Sequence, residues 1–291
     1  MTAMTAWTAA DLPSFAGRSV IVTGANSGLG AVTARELARV GAQVVLAVRN
    51  TAKGEAAAQQ MTGDVEVRRL DLADLASVRQ FADGVDTLDV LINNAGIMAT
   101  PHAVTKDGFE SQIGTNHLGH FALTNLLLPK LTDRVVTVSS IMHWLGHISL
   151  KDLNWTSRPY APWLAYAQSK LANLLFTSEL QRRLTAVGSP LRAVACHPGY
   201  SNTNLQGHSG RRISDALMAI GARLATDADF GARQTLYAAS QDVPGNSFVG
   251  PRFGMLGRTQ PVGRSPLAKR QETAEALWEL SERLTDTKFP L

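Results

Sequence analysis

The chain has a single cysteine, so no disulfide can form within it. Cys196 ends the mostly apolar run Leu191–Cys196, where the pattern predicts a small buried hydrophobe. That suits a reducing compartment. Aromatic residues make up only 6% of the chain, and alanine, leucine and valine dominate, which favours close packing of helices on a sheet. No Pro-, Gly- or Ser-rich linker, charge block, internal repeat or low-complexity tract divides the 291 residues. One domain over residues 16–291 is expected, with ample length for a core. No apolar run is long enough to span a bilayer. Residues 1–15 lack the charged start and apolar stretch of a secretory signal, and are expected to form a flexible tail. Together these absences predict a cytoplasmic protein without a membrane span. The net charge of +4 is modest, and its cations are scattered apart from pairs such as Arg211–Arg212 and Lys269–Arg270. A nucleic-acid surface would show a denser basic stripe, so nucleic acid is not an expected partner, and a small anionic cofactor suits this balance better.

Short β-branched runs alternate with helical stretches throughout. Strands are predicted near 19–23, 43–47, 65–70, 90–92, 134–139 and 192–196, with another around Phe248. Helices are predicted over 29–40, 53–61, 75–81, 117–131, 166–184 and 230–240, and an amphipathic one over 272–284. Near-continuous apolar strands alternating with helices predict an α/β fold: a doubly wound, Rossmann-type parallel sheet of about seven strands with helices on both faces. Ligands of such sheets bind at the carboxyl ends of the strands.

Those strand ends carry the informative residues. Between the first strand and the first helix lies Thr23-Gly24-Ala25-Asn26-Ser27-Gly28-Leu29-Gly30. Glycines there let the backbone approach a pyrophosphate, held by amide N–H groups and the positive end of the helix dipole. Gly24, Asn26, Ser27, Gly28, Leu29 and Gly30 are therefore the candidate phosphate-binding residues of a dinucleotide site. The second strand ends Leu46-Ala47-Val48-Arg49-Asn50, with an arginine where an acidic residue would bond an NAD ribose. Arg49 suits a 2′-phosphate and argues for NADP(H); NAD(H) stays open because Arg49 is one residue and Ser27 is not basic. Asp71 and Leu72 follow the third strand, where Asp71 would bond the adenine amino group, cap the next helix, or do both. Asn93-Asn94-Ala95-Gly96 follows the fourth, and Asn93, Ala95 and Gly96 are candidates to run alongside a ribose. Tyr166 and Lys170 project from one helix face, a turn apart. A lysine ammonium beside a tyrosine favours the phenolate, bringing a group of ordinary pKa near 10 closer to neutral-pH acid–base work.

Taken in order, Thr23-Gly24-x-x-x-Gly28-x-Gly30, Asn93-Asn94-Ala95-Gly96, Asn116, Ser140, Tyr166-x-x-x-Lys170 and Pro198-Gly199-x-x-x-Thr203 resemble the short-chain dehydrogenase/reductase family over nearly the whole chain. Asn116-His117-Leu118-Gly119-His120-Phe121 and Leu277-Trp278-Glu279-Leu280-Ser281 look like its retinol-dehydrogenase-like branch, whose membrane-bound members carry an N-terminal anchor helix not seen here. The resemblance implies an oxidoreductase interconverting a carbonyl and an alcohol on a small apolar molecule. Tyr166 is then the general acid/base, and Ser140 rather than Ser139 holds the substrate oxygen. Lys170 bonds the nicotinamide ribose, and Asn116 stabilises a helix distortion and links Lys170 to solvent through water. Pro198, Gly199 and Thr203 would fix the nicotinamide carboxamide. A catalytically silent dinucleotide sensor is the rival reading. His143, Trp144 and His147 lack a convincing ligand set, so no metal is expected and they are read as a loop flanking the cleft. Residues 200–229, with Leu217, Met218, Ile220 and Leu224, would form an apolar substrate lid. A homodimer or homotetramer is allowed, paired through the helices over 117–131 and 166–184.

Overall fold

The structure is a computed structural model and describes residues 7–199 and 228–291. Its strands are β1 Ser19–Thr23, β2 Gln43–Val48, β3 Asp64–Arg69, β4 Leu88–Asn93, β5 Leu131–Val138, β6 Arg192–Cys196, β7 Phe248–Pro251 and β8 Thr259–Pro261. They form one 8-stranded sheet in the order β3-β2-β1-β4-β5-β6-β7-β8. All neighbours are parallel except β7 and β8. β8 is the strand missing from the sequence reading; it is a three-residue edge strand, too short to show an alternating pattern. The order reverses between β1 and β4, which opens a crevice at their carboxyl ends.

Alternation along β1 sends Val20 and Val22 to one face and Ile21 to the other. The first face is covered by α1 Gly28–Arg39, α2 Thr51–Ala58 and α6 Ala228–Ser240, through residues such as Leu37, Ala58 and Leu236. The second is covered by α3 Leu75–Asp83, α4 Gly119–Leu127, α5 Pro162–Ala186 and α7 Gln271–Thr285. The predicted helix over 117–131 is instead a composite. It starts at Ser111 on a Glu110 cap, passes through a π turn at Gly114–Leu118, and continues as α4. Pro129 then closes it in a 3-10 turn, and Leu131 already belongs to β5. α5 begins earlier than expected because Pro162 occupies its first turn, where a missing N–H costs nothing.

One expectation about the surface is corrected. Residues 7–15 are not a loose tail: Thr8 and Asp11 form a reciprocal capping box, Phe15 N–H donates to Val40 O at 2.8 Å, and Phe15 is fully buried. Part of the apolar surface of α4 and α5, the helices expected to pair subunits, is covered by this chain's own α7. Trp278 stacks on Phe176 at 5.7 Å and meets Phe121 edge-on at 4.8 Å. Burial of Leu277 and Trp278 contributes about 4 kcal/mol to this docking. The exposed Arg182–Glu275 pair, at 3.5 Å, contributes about 0.5 kcal/mol, so apolar burial decides where α7 sits.

Candidate active site

The carboxyl ends of β1, β2, β3 and β4 and the N-terminal part of α5 enclose a cleft of about 560 Å³. Its β1 end is shaped by backbone. Gly24 sits at φ +67°, a left-handed value that disfavours a side chain, and its N–H donates to Ala47 O at 2.8 Å. A Cβ on Gly30 would lie 2.5 Å from Asn94 Nδ2 and 2.7 Å from Gly24 O, so only glycine lets α1 come this close to the loop after β4. Ser27 occupies the N-cap of α1, its hydroxyl makes no capping bond, and the first turn carries no acidic residue. The helix therefore points bare N–H groups and an unspent hydroxyl into the cleft, as an anion requires. Asn26, Gly28 and Leu29 line the same wall.

At the ends of β2 and β3 the lining is charged. Arg49 is exposed at the cleft edge. Lys53, absent from the sequence reading, joins it there because Asn50 caps α2, accepting from Lys53 N at 3.0 Å. An Asn-x-x-Lys pair following Arg49 was the available signal. Asp71 and Leu72 line the opposite side. Asp71 does not cap α3, which begins at Leu75 on Asp74; its Oδ1 accepts instead from Ala73 N at 3.0 Å. Arg49, Lys53 and the glycine turn fit the phosphates of a dinucleotide, and Asp71 fits its neutral adenine end.

The loop after β4 divides its labour differently from the sequence reading. Asn93 is buried and faces away from the cleft, with Nδ2 donating to Thr124 Oγ1 at 2.9 Å, so it serves the core. Asn94 is the asparagine that lines the cleft, with Nδ2 donating to Thr23 O at 2.7 Å. Alternation puts one of two consecutive asparagines on each side, which a repeated residue type conceals. Ala95 and Gly96 line the cleft as expected. Thr23 Oγ1 accepts from both Asn94 N and Ala95 N at 2.9 Å, so its proton is free for His120 Nε2, also at 2.9 Å. His120 Nδ1–H then donates to Asn116 O at 3.1 Å. Burial lowers the His120 pKa to about 4 and that of His117 to about 3, keeping both neutral.

At the far end of the cleft, Tyr166 and Lys170 come together from α5. Asn116, in the π turn, is fully buried. It donates through Nδ2 to Ile97 O and Ser169 Oγ, both at 2.9 Å, and accepts at Oδ1 from Ile97 N at 2.8 Å. It thus ties the β4 loop to the residue before Lys170. Lys170 Nζ donates to Val138 O at 3.0 Å, and burial lowers its pKa to about 8. A Cβ on Gly96 would lie 3.3 Å from Asn116 Oδ1 and 3.5 Å from Lys170 Nζ, which measures how tightly the three converge.

Ser139 Oγ donates to Lys170 O at 2.7 Å, while the Ser140 hydroxyl lies beside Tyr166. The two strand-end serines are thereby told apart: Ser139 braces α5 and Ser140 faces the tyrosine. Burial pushes the Tyr166 phenol up to about 12, with the nearby Ser140 hydroxyl working in the opposite direction. Lys170 Nζ stands 5.7 Å from the Tyr166 ring centre, and in this arrangement burial dominates the phenol's shift.

Pro198 lines the cleft, whereas Gly199 packs away from it: a Cβ there would lie 2.8 Å from Met255 O. Thr203 and residues 200–227 of the expected lid lie outside the described residues. No group of three or more His, Cys, Asp or Glu side chains suited to a metal exists among the described residues. No helix among them is long and apolar enough to cross a membrane. Cys196 is buried against Thr235 Oγ1 at 3.4 Å, and burial raises its thiol to about 12.

A family model described as short chain dehydrogenase matches residues 18–214. Retinol dehydrogenase 13 of Homo sapiens is 44% identical over 94% of this chain and 86% of its own. Retinol dehydrogenase 12 of Homo sapiens is 42% identical over 94% of this chain and 88% of its own. The crystal structure of an uncharacterized protein from Mycobacterium Paratuberculosis is 73% identical, covers 99% of this chain and 100% of its own, and matches with a TM-score of 0.90.

Proposed function

The chain belongs to the short-chain dehydrogenase/reductase family, in its retinol-dehydrogenase-like branch, and from that premise we propose an NADP(H)-dependent enzyme with Tyr166 as its proton donor and acceptor. At the coarser level it is an NAD(P)-dependent oxidoreductase of CH–OH groups, interconverting a carbonyl and an alcohol. The finer reading rests above all on one observation: Tyr166, with Lys170 a turn away and Ser140 beside it, closes the end of a cleft whose other end is a bare helix N-terminus.

The bound dinucleotide supplies or accepts the hydride at the substrate carbon. Gly24, Asn26, Ser27, Gly28, Leu29 and Gly30 would hold its pyrophosphate, and Ala95 and Gly96 would flank a ribose. Arg49, with Lys53 beside it, supports NADP(H), since both offer positive charge at the end of β2 where a carboxylate would repel a 2′-phosphate. Tyr166 and Ser140 would hold the substrate oxygen between two hydroxyls. Orientation and charge stabilisation there supply much of the rate. With its phenol raised to about 12, Tyr166 is protonated at neutral pH and suited to donate to a developing alkoxide. The Lys170 ammonium would leave Val138 O to bond the nicotinamide ribose, and its charge would steady the resulting phenolate. Asn116 keeps the β4 loop and α5 in register for both roles. A small apolar aldehyde, ketone or alcohol is the proposed substrate class.

The test is NADPH oxidation by purified protein across apolar aldehydes and ketones, beside Tyr166→Phe. The parent should turn over, and the variant should lose about a thousandfold in kcat while binding NADPH within twofold. Turnover that survives the substitution sinks the tyrosine mechanism. Tight NADPH binding without turnover on any substrate favours a cofactor sensor instead.

A further inference from the structure

Ser140 opens a 3-10 turn, Ile141–Leu145, of which His143 is the buried residue while Trp144 and Leu145 are exposed. Two N–H groups converge on the Ser140 carbonyl: His143 N at 3.1 Å and His143 Nδ1 at 2.7 Å. A carbonyl only accepts, so Nδ1 carries the proton. On the other side of the ring, Ser265 N–H lies 3.1 Å from Nε2. A backbone N–H only donates, so Nε2 presents its lone pair. Both nitrogens are spent, and a single neutral tautomer satisfies them. The ring is wedged edge-on against Phe248 at 5.5 Å and 88°, which opposes its rotation. Burial holds its pKa below the ordinary value, with the Ser140 carbonyl opposing that shift and Arg264 adding to it.

We propose that His143 is a positioning residue for the reaction: by clamping the Ser140 carbonyl to the Ser265 loop, it sets where the Ser140 hydroxyl meets Tyr166. The proposal rests on the reading that Ser140 holds the substrate oxygen. Ser139 before it is held by Cys196 O and Lys170 O, both at 2.7 Å, so it is the turn after Ser140 that needs an anchor. Its side chain accepts from Met142 N at 3.2 Å within the same turn, so that bond shapes the turn without anchoring it to the rest of the fold. The anchor runs through the imidazole. A histidine that merely filled space would be replaceable by any side chain of similar volume. A clamp depends on both nitrogens being kept.

That distinction can be read with two variants of the full chain. His143→Asn keeps a donor near the Nδ1 position and loses the acceptor for Ser265. His143→Gln keeps an acceptor near the Nε2 position and loses the donor to Ser140. Each variant opens the clamp at one end, so both should lose about tenfold to a hundredfold in kcat, with KM and Kd for NADPH within twofold of the parent. A kcat within about threefold of the parent in either variant overturns the proposal, as does a loss that falls on NADPH binding alone. Ser140→Ala separates the two levels of inference. If it leaves kcat unchanged, the role of Ser140 fails; if it abolishes turnover while His143→Gln does not, only the clamp fails. Should either histidine variant not fold, the ring 15N shifts of His143 in the parent decide. One tautomer with the proton on Nδ1 from pH 6 to pH 8 supports the clamp, and an Nε2–H or averaged ring overturns it.

Discussion

At the β1 end of the cleft the backbone does the holding. Gly24, Gly30 and the first turn of α1 offer N–H groups and close approach, and few side-chain bonds are involved. At the β4–β5 end the opposite is true. Asn116, His120, Ser139 and Lys170 are buried polar side chains, each spending its atoms on a named partner, and the Tyr166 phenol is buried among them. The difference teaches how each end fails. A site made of backbone breaks when atoms are added. A site made of buried polar groups breaks when atoms are removed or protonated, because each leaves a partner unsatisfied in a dry interior.

Protonation should give the largest effect. His117 and His120 fold neutral, with pKa values near 3 and 4 against about 6.5 in the unfolded chain. The unfolded chain therefore takes up protons that the folded one refuses. Stability is complete above about pH 6.5 and drains as the pH falls towards 4, by up to roughly 1.4 kcal/mol per pH unit for each histidine. Denaturant unfolding at pH 7, 6 and 5 should show a progressive fall. A free energy that is flat from pH 7 to pH 5 would mean that these rings are not held neutral.

The backbone end should yield to a single methyl group. In Gly30→Ala the new Cβ would sit 2.5 Å from Asn94 Nδ2 and 2.7 Å from Gly24 O, and the second contact is backbone that cannot swing aside. Forcing α1 and the β4 loop apart costs about 1–3 kcal/mol. NADPH affinity, measured by titration calorimetry, should weaken by about tenfold or more. Unchanged affinity would mean the approach of α1 to the loop is not what shapes the phosphate site.

The same difference explains what was legible in the sequence. Glycines at a strand-to-helix turn have few other reasons to cluster, so the backbone end was read almost residue by residue, and the strands of the parallel sheet with it. The polar end was read only as a set of motifs. Asn93 and Asn94 are chemically identical, and only the alternation of β4 decides that the second faces the cleft. Ser139 and Ser140 pose the same problem, resolved by the carbonyl of Lys170. His117 and His120 give no local signal, because their partners Ser281 and Thr23 are remote in the chain. Lys53 was missed for a simpler reason: its placement depends on where α2 starts, and that is set by the Asn50 cap.

Charge at the β2 end offers an intermediate test, since neither backbone shape nor a buried network holds Arg49 and Lys53. Arg49→Ala removes one of the two cations from the exposed cleft edge without adding bulk to the glycine turn. The ratio of kcat/KM for NADPH to that for NADH should fall by about tenfold. A ratio that does not move would show that the end of β2 does not set cofactor preference.

The smallest effect should come from comparing two helix caps. Asp74 caps α3 with bonds to Ala76 N at 3.0 Å and Ser77 N at 3.4 Å, and it also pairs with Lys106 at 2.8 Å. Ser27 occupies the same position on α1 with its hydroxyl unspent. Asp74→Ala should destabilise the free protein by about 1 kcal/mol. Ser27→Ala should change it by less than about 0.5 kcal/mol, because no bond is lost. Its effect should appear only when an anion is bound, as a weakening of NADPH affinity of about threefold to tenfold. Thermal melts of both variants with and without saturating NADPH separate the cases. A drop in the free protein's stability for Ser27→Ala equal to that for Asp74→Ala would assign the hydroxyl to the helix. A drop confined to the NADPH-bound protein would assign it to the cofactor, and a helix that leaves its own cap unmade would then be one shaped for its ligand.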